Sequence, residues 1–260
     1  MKLPLYQVDA FSDQAFRGNP AAVVPLERWL DDRTMQAIAN ENNLAETAFF
    51  VREPEGYRIR WFTPKVEVNL CGHATLASAH VLFEKLEPGL REVAFASRSG
   101  ALRVVRDGPR LALDFPSQPG TRCEPPAGLA RALGATPRET LKAVDLMAVF
   151  DTEDDVRALC PDLAALGAID ARGVIVTAPG SDVDFVSRFF APRVGVPEDP
   201  VTGSAHCMLI PFWAGHLERA RLRARQISAR GGELWCELHG DRVKIAGHAA
   251  LYLEGTITIP

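Results

Sequence analysis

Glu46 stands in the stretch Leu44–Ala45–Glu46–Thr47–Ala48–Phe49–Phe50–Val51, a short apolar run with one acid in it. A carboxyl held away from water is tuned toward neutrality and can both take and return a proton. A strand-end glutamate that merely caps a turn would have the same local sequence. Further along, Cys71–Gly72–His73 precede Ala74–Leu86, a run without Gly or Pro that is apolar on nearly every side. A helix apolar all round is a buried helix. Its first N–H groups have no partner within the helix and, with the dipole, form an anion site. His73 at that mouth is expected to be neutral and able to donate a hydrogen bond; a turn-packing histidine is the plain alternative. Cys71 at the same mouth is expected to have a depressed pKa, although a packed small side chain explains it better.

The same design recurs. Phe62–Thr63–Pro64 matches Phe190–Ala191–Pro192, and Gly72–His73–Ala74 matches Gly203–Ser204–Ala205. Arg98–Ser99–Gly100 matches Arg230–Gly231–Gly232, and the turn at Asp107–Gly108 matches the one at His239–Gly240. The offset drifts from 128 through 131 to 132 residues, as duplication followed by short insertions leaves it. Aligned through Val51 and Val176, Glu46 falls opposite Ala171, so the carboxylate is not part of the shared scaffold. Cys71 falls opposite Thr202, and Cys207 lies more than a turn further in, so a two-thiol racemase pair is broken. Asp199, in Glu198–Asp199–Pro200, sits in the added loop, where an aspartate before proline is ordinarily a turn residue. Neither G-x-x-x-x-G-K-[ST] nor G-x-G-x-x-G occurs, which leaves nucleotide cofactors without support.

These residues need strands and two buried helices to hold them. The pattern predicts strands at Leu5–Ala10, Ala21–Pro25, Leu44–Val51 and Tyr57–Phe62, with a helix capped by Asp31 running to about Asn40. Strands at 93–95, 101–105 and 111–115 follow the first buried helix. The second half repeats the order: strand 142–149, helix 154–159, strands 174–177 and 185–190, then a buried helix that Pro211 should kink or shorten. The expected class is α+β, with two pseudo-symmetric lobes, each a β-roll or barrel around a central buried helix. Pro116–Gly128 marks the boundary, giving lobes 1–118 and 119–260; the pattern leaves open which lobe the final strand, 250–260, joins. Two such lobes would face their glycine turns across a cleft, a common place for a ligand.

At 260 residues with a net charge of −4 and no basic run, nothing suggests nucleic acid or an anionic membrane. No apolar run approaches a bilayer's thickness, and the start MKLPLYQVDAF has no signal-peptide core. Five scattered cysteines without a C-x-x-C pair argue against a zinc site or disulfide framework and for a cytoplasmic setting.

The segments VDAFSDQAFRGNPAAVV, NLAETAFF, FTPKVEVNLCGHATLASA and FAPRVGVPEDPVTGSAH, in this order, resemble the PhzF-like family, the phenazine-biosynthesis-type isomerases of the diaminopimelate epimerase fold. The resemblance spans nearly the whole chain. It implies that Glu46 is the acid–base residue and that His73, Asp199 and Ser204 lie in the substrate cleft. It also implies no cofactor and a homodimer. Together with the glycine turns, the expected substrate contacts are Gly72, His73, Asp199, Gly203 and Ser204, with no metal. The expected reaction relocates a proton on a small carboxylate-bearing metabolite. Two alternatives remain from the residues: an amino-acid racemase or epimerase using Cys71, and a non-catalytic metabolite- or partner-binding protein.

Overall fold

The structure, a computed structural model, describes residues 1–260. The chain forms two compact units, Met1–Asp114 with Ala246–Pro260, and Phe115–Ile245.

The first unit begins with β1 (Lys2–Ala10) and β2 (Asn19–Leu26), an antiparallel pair. Helix α1 (Asp32–Asn42) crosses over to β3 (Glu46–Glu53), which runs parallel to β2. Asp31 caps α1 by accepting from the Thr34 N–H at 3.0 Å, and Asn43 ends it in the left-handed region. Strands β4 (Gly56–Phe62) and β5 (Glu67–Val68) follow as antiparallel neighbours. Then comes α2 (Gly72–Val81), whose chain continues through a π-helical turn at Leu82–Leu86. Strands β6 (Glu92–Ser97), β7 (Gly100–Asp107) and β8 (Arg110–Pro116) form a meander, with β6 parallel to β4.

Helix α2 is the axis of this roll. Eight of its ten residues are buried, and it touches β1, β2, β3 and β7. Ala74, Ala77 and Ala79 keep it slim, so strands can close on it from several sides. Thr75 and Ser78 hide their hydroxyls by donating to the carbonyls of Cys71 (2.5 Å) and Ala74 (2.8 Å). A separate cluster joins Met35, Ile38 and Ala39 of α1 to Phe49 and Phe62.

The second unit holds β9 (Thr121–Cys123), α3 (Leu129–Leu133), β10 (Glu139–Lys142) and β11 (Leu146–Val149). Helices α4 (Glu153–Ala158) and α5 (Leu163–Gly167) lead to β12 (Val174–Pro179) and β13 (Phe185–Ala191). A 3-10 turn and β14 (Val196–Asp199) precede α6 (Gly203–Leu217). Strands β15 (Arg221–Gln226), β16 (Gly232–His239) and β17 (Arg242–Gly247) follow. The pairings repeat those of the first unit: β11 parallel to β12, β12 antiparallel to β13, and β13 parallel to β15. Nine of the fifteen residues of α6 are buried. The fold is thus α+β, two β-rolls of like topology, each wrapped on its own helix. The last strand, β18 (Ala249–Thr258), pairs antiparallel with β1 in the first unit.

Two local expectations are corrected. The single strand expected over 142–149 is two, β10 and β11, because the chain turns at Asp145, whose side chain is buried. Pro211 does not shorten α6, which runs six residues past it to Leu217. Proline lacks the N–H that would reach the Cys207 carbonyl four residues back. That carbonyl instead accepts from the Gln118 backbone N–H at 2.9 Å, so the vacated bond is refilled from outside the helix.

Candidate functional site

The register of β3 against β4 sets Glu46 at the very start of its strand, next to Thr47, which pairs with Phe62. Asn42 at the end of α1 donates to the Thr47 hydroxyl at 3.1 Å, which fixes the entry to β3. Helix α2 brings its opening residues to the same place. The Glu46 carboxylate Oε2 lies 3.1 Å from His73 Nε2. On the other side of the ring, Nδ1 meets the Asn19 amide nitrogen at 3.2 Å and the Cys71 sulfur at 3.5 Å. The Glu46 side chain keeps 17% of its surface exposed, against 6% for His73. Glu46 is therefore the member of the cluster that a ligand reaches.

Asn19 was not among the expected site residues, because Gly18–Asn19–Pro20 reads as a loop. It opens β2 and pairs with Ala10. Gly18 takes φ +66°, and a Cβ there would fall 2.2 Å from the Ala10 carbonyl oxygen. Only glycine lets the chain come that close. The Asn19 amide nitrogen faces Nδ1, so it can donate to that atom only while the ring is neutral with its hydrogen on Nε2, on the Glu46 side.

Two electrostatic expectations are reversed. The Cys71 thiol is pushed up to about 11, first by burial and then by the Glu46 charge. Helix-mouth stabilisation of a thiolate does not offset that desolvation. For His73, burial is the largest influence and disfavours the imidazolium, but Cys71 and Glu46 outweigh it and raise the pKa well above the usual range. The Glu46 carboxylate is one of the two neighbours that raise it. Iodoacetamide at about pH 8 is expected to label exposed Cys160 first and to leave buried Cys71, Cys207 and Cys236 untouched until unfolding. Mass spectrometry of the labelled chain checks it.

Ligand atoms of Glu46, Cys71 and His73 lie within 4.8 Å of one another, close enough in principle to share a cation. The sulfur faces Nδ1 and the carboxylate faces Nε2, on either side of the ring. The arrangement is a thiol–imidazole–carboxylate row, with the sulfur 3.5 Å from Nδ1 and the carboxylate 3.1 Å from Nε2.

In the second unit, Gly203 and Ser204 open α6 behind the N-cap Thr202. The Thr202 hydroxyl donates to Asp199 Oδ2 at 2.5 Å. Gln226, fully buried, accepts from the Thr202 N–H at 2.9 Å and donates to the Asp199 carbonyl at 2.7 Å. Asp199 and Ser204 are thereby set on one braced turn. Ser204 Oγ also accepts from Arg172 at 3.2 Å. The strand registers pair Thr47 with Phe62 and Val174 with Phe190, which sets Gly173, not Ala171, opposite Glu46; no carboxylate occupies that place. A cavity of about 390 Å³ in this unit, lined by Leu133, Arg138, Phe150 and Cys160 among others, contains none of the expected site residues.

Deeper in α6, His206 is fully buried. Its Nδ1–H donates to the Thr202 carbonyl at 2.8 Å, and Nε2 has no partner. Burial pulls its pKa down to about 4, against a smaller opposing effect of the Thr202 carbonyl. Between the folded value and an unfolded value near 6.5, the unfolded chain binds the extra proton, so stability falls as pH drops through this window. Wild type should lose about 3 kcal/mol more than His206→Gln between pH 7 and pH 4. Urea melts of the two proteins across that range test it.

A family model for phenazine biosynthesis-like proteins matches residues 8–255. The chain belongs to that family. An uncharacterized isomerase of Pseudomonas aeruginosa is 59% identical over 261 residues, covering all of both chains. The crystal structure of a PhzF family protein from Enterococcus faecalis superposes with a TM-score of 0.98 at 47% identity, again over the whole of both chains. A hydroxyproline epimerase from Agrobacterium vitis shares the fold at a TM-score of 0.66 and 12% identity, covering 98% of this chain and 92% of that one. This PhzF-like protein is an isomerase by class, with relatives that carry that designation along their full length. No helix is long and apolar enough to cross a membrane.

Proposed function

We propose that this PhzF-like isomerase relocates a proton on a small carboxylate-bearing metabolite, with Glu46 as the acid and base. The observation that carries it is the half-buried Glu46 carboxylate, 3.1 Å from His73 Nε2 at the mouth of α2. Glu46 takes a proton from a carbon made acidic by its neighbours, and the electron pair moves into the adjoining π system. The same carboxyl then returns the proton to a different carbon of that system. Electrons and atoms balance without a cofactor. His73 offers its Nε2–H to the carboxylate and to charge that develops beside it. Gly72, His73, Asp199, Gly203 and Ser204 are the proposed substrate contacts, the substrate carboxylate lying against backbone N–H groups of the helix openings. One acid–base group suits relocation on a single face; inversion of a centre wants a second base, and the thiol of Cys71, held up to about 11, is a poor one. Cytoplasmic location and a homodimer belong to the same proposal.

The test is proton exchange. Incubating the protein with a metabolite extract in deuterated water should load deuterium into one carboxylate-bearing compound, found by mass spectrometry. Glu46→Gln should abolish the loading and Cys71→Ser should keep it. The reverse pattern would transfer the role to Cys71 and overturn the proposal.

A further inference from the structure

Arg172 is held in the second unit more tightly than a surface arginine needs to be. Its Nε and Nη2 donate to the two oxygens of Asp145 at 2.8 and 2.5 Å. Asp145 is only 3% exposed, so the fork is anchored from below by a carboxylate that has little other access to water. Phe189 lies beside it, with the guanidinium carbon 5.9 Å from the ring centroid. Gly173 makes room for that ring, since a Cβ there would come within 2.3 Å of it. Nη2 makes a further bond, to Ser204 Oγ at 3.2 Å. Nη1 makes none, and the side chain remains 43% exposed. A strap that only closed the β10–β11 turn would be complete with the bidentate pair. Here a rigid cation also reaches Ser204 and stays partly exposed, with Nε and Nη2 engaged.

The internal repeat sharpens this. By strand register, Glu46 precedes Thr47 at the place where Arg172 and Gly173 precede Val174. In the first unit the acid meets His73, the second residue of α2; in the second unit Arg172 meets Ser204, the second residue of α6. Gly173 is the register counterpart of Glu46, so Arg172 lies one residue before that place, yet each charged side chain reaches the second residue of its own unit's buried helix. An isolated carboxylate in the second unit would repel an anionic substrate, and Asp199 already accepts from Thr202.

We infer that Arg172, with Ser204, receives an anionic group of the substrate, a carboxylate by preference, and that Asp145 is the residue that positions it. The inference rests on the proposed role of Ser204 as a substrate contact. A planar guanidinium held at Nε and Nη2 can still offer its other edge to a carboxylate oxygen. The substrate's negative charge is then held by a fixed cation, which orients it. Neutral amides and esters of the same acids would be poor substrates.

Malonate, a small dicarboxylate, is the probe, with malonamide as the neutral control, both titrated into the full-length protein at constant ionic strength. In 15N NMR spectra, malonate should shift the Arg172 Nε–H and Ser204 amide signals, and malonamide should not. Arg172→Gln should weaken malonate about tenfold or more, the loss expected for a charge-assisted hydrogen bond. Arg172→Lys, which keeps the charge and loses the fork, should fall between, and so should Asp145→Asn. If Arg172→Gln does not fold, the lysine variant decides: affinity equal to wild type overturns the inference. Malonate binding that ignores Arg172→Gln, or that leaves Ser204 unshifted in the wild type, also overturns it. Intact deuterium loading in Glu46→Gln would sink the proposed reaction alone; unchanged malonate binding in the Arg172 variants would sink this inference alone.

Discussion

Glu46→Gln is expected to slow turnover by about 10²–10⁴-fold, the usual contribution of one positioned acid–base group, while the thermal transition hardly moves. Glutamine has the shape of glutamate and its Oε1 can still accept from His73 Nε2–H. What it cannot do is hold a proton taken from carbon. The fold should tolerate the change because Glu46 opens β3 with part of its side chain in solvent, and buried His73 can release its proton and stay neutral once the carboxylate is gone. His73 should respond, since the carboxylate that raises its pKa is gone, and the variant's imidazole should titrate at lower pH than the wild type's. NMR of labelled histidine reads that shift directly. A variant that loses activity with no change at His73 would mean the contact at 3.1 Å is not made in solution.

Trp213→Ala is expected to destabilise the protein by about 3–5 kcal/mol, the range for removing a buried aromatic side chain. Trp213 is 2% exposed on α6 and stacks on Phe185 at a centroid distance of 5.7 Å and an interplanar angle of 6°. Its indole N–H donates to Thr177 Oγ1 at 3.0 Å, and that hydroxyl donates onward to the Val186 carbonyl at 2.7 Å. Alanine would leave a cavity and remove a donor from a fully buried threonine. Trp213→Phe keeps most of the packing and loses only the N–H, so its cost should be nearer about 1 kcal/mol. Urea denaturation of the two variants separates the contributions. Equal losses in both would show that the hydrogen bond, rather than the volume, dominates.

The repeat and the two helix mouths were legible because they rest on local signals. An apolar run free of Gly and Pro marks α2, and the Phe-x-Pro and Gly-x-Ala pairs keep their order across a nearly constant offset. Glu46 was legible for the same reason, one acid in an apolar run. Asn19, Gln226 and Arg172 were not, since each acts through a side chain reaching an element far away in sequence: His73, Thr202 and Asp145 respectively. Asn19 even looked like a turn residue, which its composition allows. The thiol of Cys71 was misjudged in direction because sequence shows a helix opening but not how completely the sulfur is enclosed. Register explains the Ala171 mismatch: matching valines by type cannot see that strand pairing sets Val176 level with Phe49.

Pro211 gives α6 something an ordinary helix lacks, a reserved socket. Because no residue of its own turn can occupy the Cys207 carbonyl, that oxygen is kept for one visitor, the amide of Gln118. An alanine at 211 would set its own amide in competition for the same lone pairs, and the incoming segment would lose its address. An imino acid that weakens a helix in isolation thus serves here to tell a distant stretch of chain where to dock.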